Sequence, residues 1–185
     1  ILNGQEIIVK SPKKAVDYGI AYVPEDRKQH GALLTLPIDW NITLPILKRI
    51  SKGGFINTAE ENTVVETQRK NLLIKAATMS QYVNSLSGGN QQKVVLGKWL
   101  ASKPKLLILD EPTRGVDVNA KQEIYQLIGK LAKQGIAIIL ISSEMEELLE
   151  ISDRMMVLNE KRIAGFLEKE EFTQNIVLAM ASGLA

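Results

Sequence analysis

Runs of apolar residues alternate with amphipathic stretches along most of the chain. Three runs are apolar throughout and predict short strands: Ile20–Val23, Leu106–Leu109 and Ile136–Ile141. The second and third show no polar alternation, which is typical of strands covered on both faces. Between them, apolar residues recur at helical spacing, at Ile124, Leu127, Ile128 and Leu131. This strand–helix–strand order predicts an α/β protein with a parallel sheet and right-handed crossovers.

The stretch from residue 26 to residue 102 carries much less strand signal and is rich in breaks up to about residue 57. Thr58 followed by Glu61 has the spacing of a capping box and predicts a helix that runs to about Ala77. A second helix is predicted from about Asn90 to Ser102. We therefore expect residues 26–102 to form a mainly helical insertion.

Shorter elements are predicted after the third apolar run. They are a short acidic helix over Glu144–Ile151, a hairpin of Met155–Leu158 and Ile163–Leu167 at the edge of the sheet, and a terminal helix over 172–182. The predicted organisation is a sheet core of residues 1–25 and 103–185, interrupted by the helical insertion.

Composition excludes several classes of function. Lys and Arg number 23 against 21 Asp and Glu, and the net charge of +2 gives no electrostatic reason to expect nucleic acid as a partner. With no cysteine and one histidine, His30, the chain offers no disulfide, no thiolate site and no pair of imidazoles. The apolar runs are far shorter than the roughly 20 residues of a membrane span. The chain begins at Ile1 without a secretion signal, so we interpret it as a fragment of a longer protein.

The strongest local signal is a buried strand that ends in Asp110 and Glu111. Ligands of open α/β folds bind at the carboxyl ends of parallel strands, where a carboxylate holds Mg²⁺ through water. The neighbouring carboxylate is then placed to orient or deprotonate an attacking water. The alternative is an acidic loop with no chemical role.

The second signal is the Ser87-Gly88-Gly89 segment ahead of a predicted helix. Glycines let the backbone approach a ligand closely, and amide groups at a helix start favour an anion. Taken alone, the segment is as consistent with a flexible helix entry as with a phosphate site.

Residues 86–94 resemble the signature motif of ABC transporter ATPases, in the Asn-Gln-Gln variant of sugar importers. Residues 106–111 are similar to the Walker B strand with its catalytic glutamate, and residues 115–117 fall where the D-loop lies. The resemblance implies a P-loop NTPase (RecA-like) fold whose parallel sheet core carries an inserted helical ABC subdomain. It further implies the second nucleotide-binding half of a fused double cassette that imports ribose or a related monosaccharide.

Three departures from the family pattern are visible. The phosphate-binding Gly-x-x-x-x-Gly-Lys-Ser/Thr motif is absent, which implies a fold truncated at its N-terminus. Glu25 stands where the Q-loop glutamine is expected, and Ser143 stands where the switch histidine is expected. Because serine does not replace a positioned imidazole, we expect the ATP site built on this half to be the weaker of two.

The resemblance implies that two cassettes close head to tail on two ATP molecules. Ser87, Gly88 and Gly89 are then expected to contact the γ-phosphate of ATP held by the other cassette. Glu111 is expected to be the catalytic base, and Asp110 to bind Mg²⁺ through water. The nucleotide-binding residues implied are Ser87, Gly88, Gly89, Asn90, Asp110, Asp117, Glu25 and Ser143.

The implied partners are the first cassette of the same chain or a dimer partner, integral membrane permease subunits and, indirectly, a sugar-binding protein. The implied location is the cytoplasmic face of the cell membrane. One alternative is a soluble ABC ATPase of translation or DNA repair, which the near-neutral charge and the Asn-Gln-Gln sequence disfavour. Another is that the isolated chain is a non-catalytic interaction module, inactive without the rest of an ATP-hydrolysing parent.

Overall fold

The computed structural model describes residues 1–2 and 4–184. Its α-helices are α1 (Pro12–Tyr18), α2 (Ile38–Thr43), α3 (Leu47–Ile50), α4 (Thr58–Leu72), α5 (Gly88–Leu100), α6 (Val118–Lys133), α7 (Met145–Ile151) and α8 (Gln174–Ala181). Its strands are β1 (Ile20–Val23), β2 (Ser51–Lys52), β3 (Phe55–Ile56), β4 (Leu106–Asp110), β5 (Ala137–Ile141), β6 (Arg154–Asn159) and β7 (Arg162–Glu168). A π-helical turn spans Arg27–Gly31. No helix in the described part of the chain is long and apolar enough to cross a membrane.

The predicted sheet is present, with the strand order β1-β4-β5. β1 and β4 pair in parallel, with Ile20 opposite Leu106 and Val23 opposite Leu109. The parallel pairing brings the carboxyl ends of both strands to one edge. The segment at Glu25 therefore begins beside Asp110, the last residue of β4, and Glu111, which follows it.

The prediction that β4 and β5 are covered on both faces is wrong. Leu107 and Leu109 are fully buried, whereas Leu106 and Ile108 between them are half-buried. In β5, Ile139 and Ile141 are each 47% exposed. An apolar run specifies that both faces tolerate burial, but it carries no information about whether another layer lies over each face.

The helices between residues 38 and 100 pack on one another through buried apolar side chains. α5 packs on α2 and α4, with Val94, Val95 and Leu96 buried. α4 ends five residues earlier than the predicted Ala77, because Leu73 adopts a left-handed backbone conformation with φ 52°. Its N-cap is Asn57, whose side chain accepts the amide of Glu60, and not Thr58. α1, α2 and the β2–β3 hairpin fall in stretches where no element was predicted.

The chain divides into two compact units, residues 1–139 and 140–185. In the second unit, β6 and β7 form the predicted hairpin. Its predicted place at the edge of the parallel sheet is wrong, because the two strands form a two-stranded sheet of their own. Met155, Val157 and Leu167 of this hairpin pack against Val177 of α8. The predicted boundaries around residues 26–102 stay a prediction.

Candidate functional site

The carboxyl end of β4 places Asp110 within reach of a side chain from the paired strand. The Tyr22 hydroxyl donates a hydrogen bond of 2.7 Å to Asp110 Oδ2. This bond, with partial burial and the charge of the carboxylate, raises the pKa of the Tyr22 phenol above its ordinary value. Tyr22 was not predicted as a site residue. Its signal was its place near the end of Ile20–Val23, one of the strands predicted for the parallel sheet.

The backbone turns sharply at Glu111. This residue has φ 46° in the left-handed region, which is uncommon for a residue other than glycine. Such strain costs on the order of 1–3 kcal/mol and persists only where the surrounding structure holds it. Pro112 and Thr113, both buried, follow at once. Asp110 therefore ends the strand and Glu111 begins a fixed turn, so the two carboxylates have different surroundings.

Ser87–Gly89, which we call the glycine loop, opens α5. Ser87 is the N-cap residue and is exposed, and its side chain makes no capping hydrogen bond. Instead, Asn90 Nδ2 donates to Ser87 Oγ at 3.0 Å, while Asn90 Oδ1 accepts the amide of Lys75 at 2.8 Å. The first turn of a helix leaves amide groups without intrahelical acceptors, and the helix dipole adds positive potential there. The loop thus combines a held hydroxyl with the amides of a helix start.

Both glycines of the loop are closely packed, and the packing is tightest at Gly89. A Cβ on Gly89 would lie 2.7 Å from Ala120 Cβ of α6. A Cβ on Gly88 would lie 2.9 Å from the Arg27 guanidinium and 3.1 Å from the Gly115 carbonyl oxygen. The glycine loop therefore lies directly against residues 114–117, which we call the Gly115 turn, and against the start of α6.

Asp117 is the N-cap residue of α6 and accepts the amide of Ala120 at 3.0 Å. A cavity of about 240 Å³ borders both this cap and the glycine loop, and Ser87, Asn90 and Asp117 are among its lining residues. The structure thus brings together the predicted residues Ser87, Gly88, Gly89, Asn90 and Asp117.

The remaining two predicted residues differ in their surroundings. Glu25 is exposed and forms an ion pair with Arg114, which ties the segment after β1 to the Gly115 turn. Ser143 belongs to the second unit and is exposed at its own position ahead of α7. Its role at an ATP site stays a prediction.

The donor set fits a magnesium ion bound mainly by water. In residues 1–2 and 4–184, no group of three or more His, Asp or Glu side chains lies together as a metal site. A single carboxylate, Asp110, at the end of a parallel strand matches an ion that keeps several waters and takes few protein ligands. It does not match an ion held entirely by protein side chains.

A family model described as ABC transporter matches residues 2–114. The chain is 50% identical over 182 residues to the ribose import ATP-binding protein RbsA of Geobacillus kaustophilus, covering 98% of this chain and 37% of that protein. It is 48% identical to the xylose import ATP-binding protein XylG of the same organism, over 98% of this chain and 36% of that protein. The chain thus spans a little more than a third of the length of these curated relatives.

Solved structures with a similar fold are ATP-binding cassettes. A dimer of the cassette MJ0796 bound to ADP and Pi matches with a TM-score of 0.71 and 22% identity, over 86% of this chain and 66% of that chain. The ADP conformation of the cassette MJ1267 matches with a TM-score of 0.72 and 20% identity, over 96% of this chain and 70% of that chain. These similarities confirm the predicted fold class.

Proposed function

This chain belongs to the ABC transporter family, and we propose that it is the second nucleotide-binding half of an ATPase that powers import of ribose or a related monosaccharide. The observation that carries the proposal is the packing of the glycine loop against the Gly115 turn and Asp117, at the start of a helix. The names of its relatives, which import ribose and xylose, support the substrate class. The matching ABC motifs, in a chain that spans a little more than a third of the length of these relatives, support a double cassette.

The glycine loop acts on ATP held by the partner cassette. Its helix-start amides and the Ser87 hydroxyl suit the γ-phosphate, because both donate hydrogen bonds and the helix dipole favours negative charge. Asn90 holds the Ser87 hydroxyl in place through a bond of 3.0 Å. Asp117, at the N-cap of α6, belongs to the same surface and links the two ATP sites across the interface between cassettes.

The carboxylates after β4 serve the ATP site built on this half. When bound, Mg²⁺ neutralises charge on the phosphates, and Asp110 is the residue that holds it through water. Tyr22 fixes the orientation of Asp110 through its hydrogen bond. Glu111 orients the attacking water and accepts its proton, from a backbone position that the strained turn holds still.

This half builds the weaker of the two sites. The Glu25 side chain forms an ion pair with Arg114. Because Glu25 is itself a carboxylate, it adds no positive charge beside the phosphates. Ser143 has no imidazole, so it supplies neither a group that titrates near neutral pH nor a ring nitrogen that donates a hydrogen bond from a fixed position. The stronger site is therefore the one that the glycine loop completes in trans.

The helical insertion supplies the surface for the membrane permease. Trp40, Leu44 and Tyr82 are 57%, 41% and 55% exposed. A backbone bridge between Pro37 and Tyr82 holds Tyr82 beside the start of α2, so that two of these aromatic residues share one region. Large exposed apolar side chains grouped in this way are typical of a protein contact. The assembly then lies at the cytoplasmic face of the membrane, with a sugar-binding protein acting through the permease.

Two substitutions in the full-length ATPase test this assignment. Ser87→Arg introduces a bulky cation at an exposed position of the glycine loop, and we expect ATP turnover to fall by at least about tenfold. Glu111→Gln removes the base of the weaker site, and we expect a smaller loss. If Glu111→Gln alone reduces turnover to background, the dominant base lies in this half and the assignment is wrong. Co-purification with membrane subunits separates an importer from a soluble ABC ATPase.

A further inference from the structure

Arg27 joins two loops that are far apart in the sequence. It starts the π-helical turn after β1 and is half-buried. Its Nη1 donates to the Arg114 carbonyl oxygen at 2.7 Å, and its Nη2 donates to the Gly115 carbonyl oxygen at 3.2 Å. Two adjacent carbonyls suit the planar fork of a guanidinium, whereas a lysine ammonium is a single point charge. The contact therefore depends on arginine in particular.

The Arg27 guanidinium also lies against the glycine loop. A Cβ on Gly88 would meet its Nη2 at 2.9 Å, and a Cβ on Gly115 would lie 3.6 Å from both terminal nitrogens. The guanidinium thus lies against both Gly88 and Gly115, beside the direct approach of the Gly115 carbonyl oxygen to Gly88, which a Cβ on Gly88 would meet at 3.1 Å. Together with its two hydrogen bonds to the Gly115 turn, it fixes the position of that turn against the glycine loop.

The other end of Arg27 is fixed on α5. Asp26 accepts the amides of Lys28 and Gln29 at 2.9 and 3.0 Å and so caps the π-helical turn. At the end of the turn, Gly31 packs against Val95 of α5, and the buried Lys98 ammonium donates to the Gly31 carbonyl. The π-helical turn that carries Arg27 is therefore anchored to α5, and the Arg27 guanidinium is anchored to the Gly115 turn.

A second connection joins the same two loops in the opposite direction. Arg114, whose carbonyl accepts from Arg27, pairs through its own side chain with Glu25. The segment after β1 and the Gly115 turn are thus joined by two arginine side chains, one from each segment. Movement of either loop strains both contacts, so the two loops and the packed glycine loop shift together.

We propose that Arg27 is a positioning residue for ATP hydrolysis, which fixes the Gly115 turn against the glycine loop and couples both to the segment after β1. This inference rests on the proposed function, since that position matters only where the two loops face a shared nucleotide. In this role Arg27 acts through the geometry of Ser87 and Asp117, which lie on the two loops that it fixes against each other.

The test compares Arg27→Lys and Arg27→Met with Lys28→Met in the full-length ATPase. Lys28 is the neighbouring exposed cation, and Lys28→Met controls for loss of one positive charge from this turn. We expect Arg27→Met to lower kcat by about tenfold, the loss of roughly one charge-assisted hydrogen bond, with KM for ATP changed less than about threefold. Arg27→Lys should recover only part of kcat, because lysine engages one carbonyl. Lys28→Met should stay within about twofold of the wild type.

Each outcome decides the question. Wild-type turnover that falls at least about tenfold in Ser87→Arg shows ATP hydrolysis that depends on the glycine loop before Arg27 is considered, whereas absence of wild-type turnover defeats the proposed function instead. With an active wild type, a normal kcat in Arg27→Lys overturns the positioning role. A rise in KM with normal kcat overturns it as well. If Arg27→Met does not fold by circular dichroism, Arg27→Lys carries the test by itself.

Discussion

The contact between Gly89 and Ala120 predicts a measurable penalty for a single methyl group. Gly89 is buried on α5, and a Cβ there would lie 2.7 Å from the Ala120 Cβ on α6. Carbon atoms at van der Waals contact are about 3.5–4.0 Å apart, so one helix must move by roughly 1 Å. Overpacking of this kind costs about 1–3 kcal/mol. We expect Gly89→Ala to lower the free energy of unfolding by about 2 kcal/mol, and Tm by about 4–8 °C.

The chain offers a matched control at Gly129. This glycine is exposed within α6, and nothing lies within 4 Å of a Cβ built on it. Gly→Ala in an open helical position stabilises a protein by about 0.4–1 kcal/mol. Gly129→Ala should therefore raise stability, while the same chemical change at Gly89 lowers it. Both substitutions change helix propensity in the same direction. Opposite signs of the change in the free energy of unfolding therefore isolate the packing contact at Gly89.

A double-mutant cycle attributes the penalty to the contact itself. Ala120→Gly removes the opposing methyl, and in that background Gly89→Ala should cost at least about 1 kcal/mol less than in the wild type. Urea unfolding followed by circular dichroism, with equal m-values, gives the free energies. A stabilising Gly89→Ala, or a penalty that Ala120→Gly leaves unchanged, refutes the packing of the glycine loop on α6.

Three further predictions concern charge and ligand binding. Lys93 is 5% exposed, and its ammonium lies 2.5 Å from a Glu123 carboxylate oxygen and donates to the Leu73 carbonyl oxygen at 3.3 Å. Glu123→Gln removes the negative charge paired with this buried ammonium, so it should destabilise more in urea unfolding than Lys93→Met; equal losses contradict this. Asp110→Asn should lower the raised pKa of Tyr22, read as phenolate absorbance against matched Tyr22→Phe variants, and an unchanged titration rules out the bond. Because the pKa of Tyr22 is higher in the folded state than in the unfolded state, the contribution of Tyr22 to the free energy of unfolding is complete below the pKa of the unfolded state. That contribution is lost as the pH rises through the pKa of the folded state. This 185-residue chain should show no Tm shift with Mg-ATP, since its sequence contains no phosphate-loop motif. Binding to a complete ATP site would instead raise the free energy of unfolding by roughly 2.7 kcal/mol at 100-fold excess over Kd.

Features with a local physical cause were predictable from the sequence. β1, β4 and α6 lie within a few residues of their predicted positions, because uninterrupted apolar runs and helical spacing reflect burial directly. The parallel sheet was predictable from the strand–helix–strand order, whereas the pairing of β1 with β4, which starts the Glu25 segment beside Asp110 and Glu111 at one sheet edge, came from the structure. The glycine loop at the start of α5 was predictable for the same reason, since helix starts have a characteristic composition.

Contacts between distant side chains were not predictable in this way. Tyr22 meets Asp110 across 88 residues, and Arg27 meets the Gly115 turn across a similar separation. Neither contact produces periodicity, capping or a composition change in the sequence. The early end of α4 had a different cause, because Leu73 takes a left-handed conformation that residues other than glycine seldom adopt.

The two glycines of the loop show why a motif and its packing must be tested separately. The sequence suggests glycine at these positions because a ligand must approach the backbone, whereas the structure gives a second reason in Ala120 and Arg27. Substitution of either glycine therefore disturbs packing and phosphate contact together. Ser87 is exposed, and its hydroxyl accepts a hydrogen bond from Asn90 on the same helix turn. Ser87→Ala removes a proposed phosphate ligand while both packing contacts stay intact, so lost turnover at unchanged Tm in that variant isolates the chemical role of the loop.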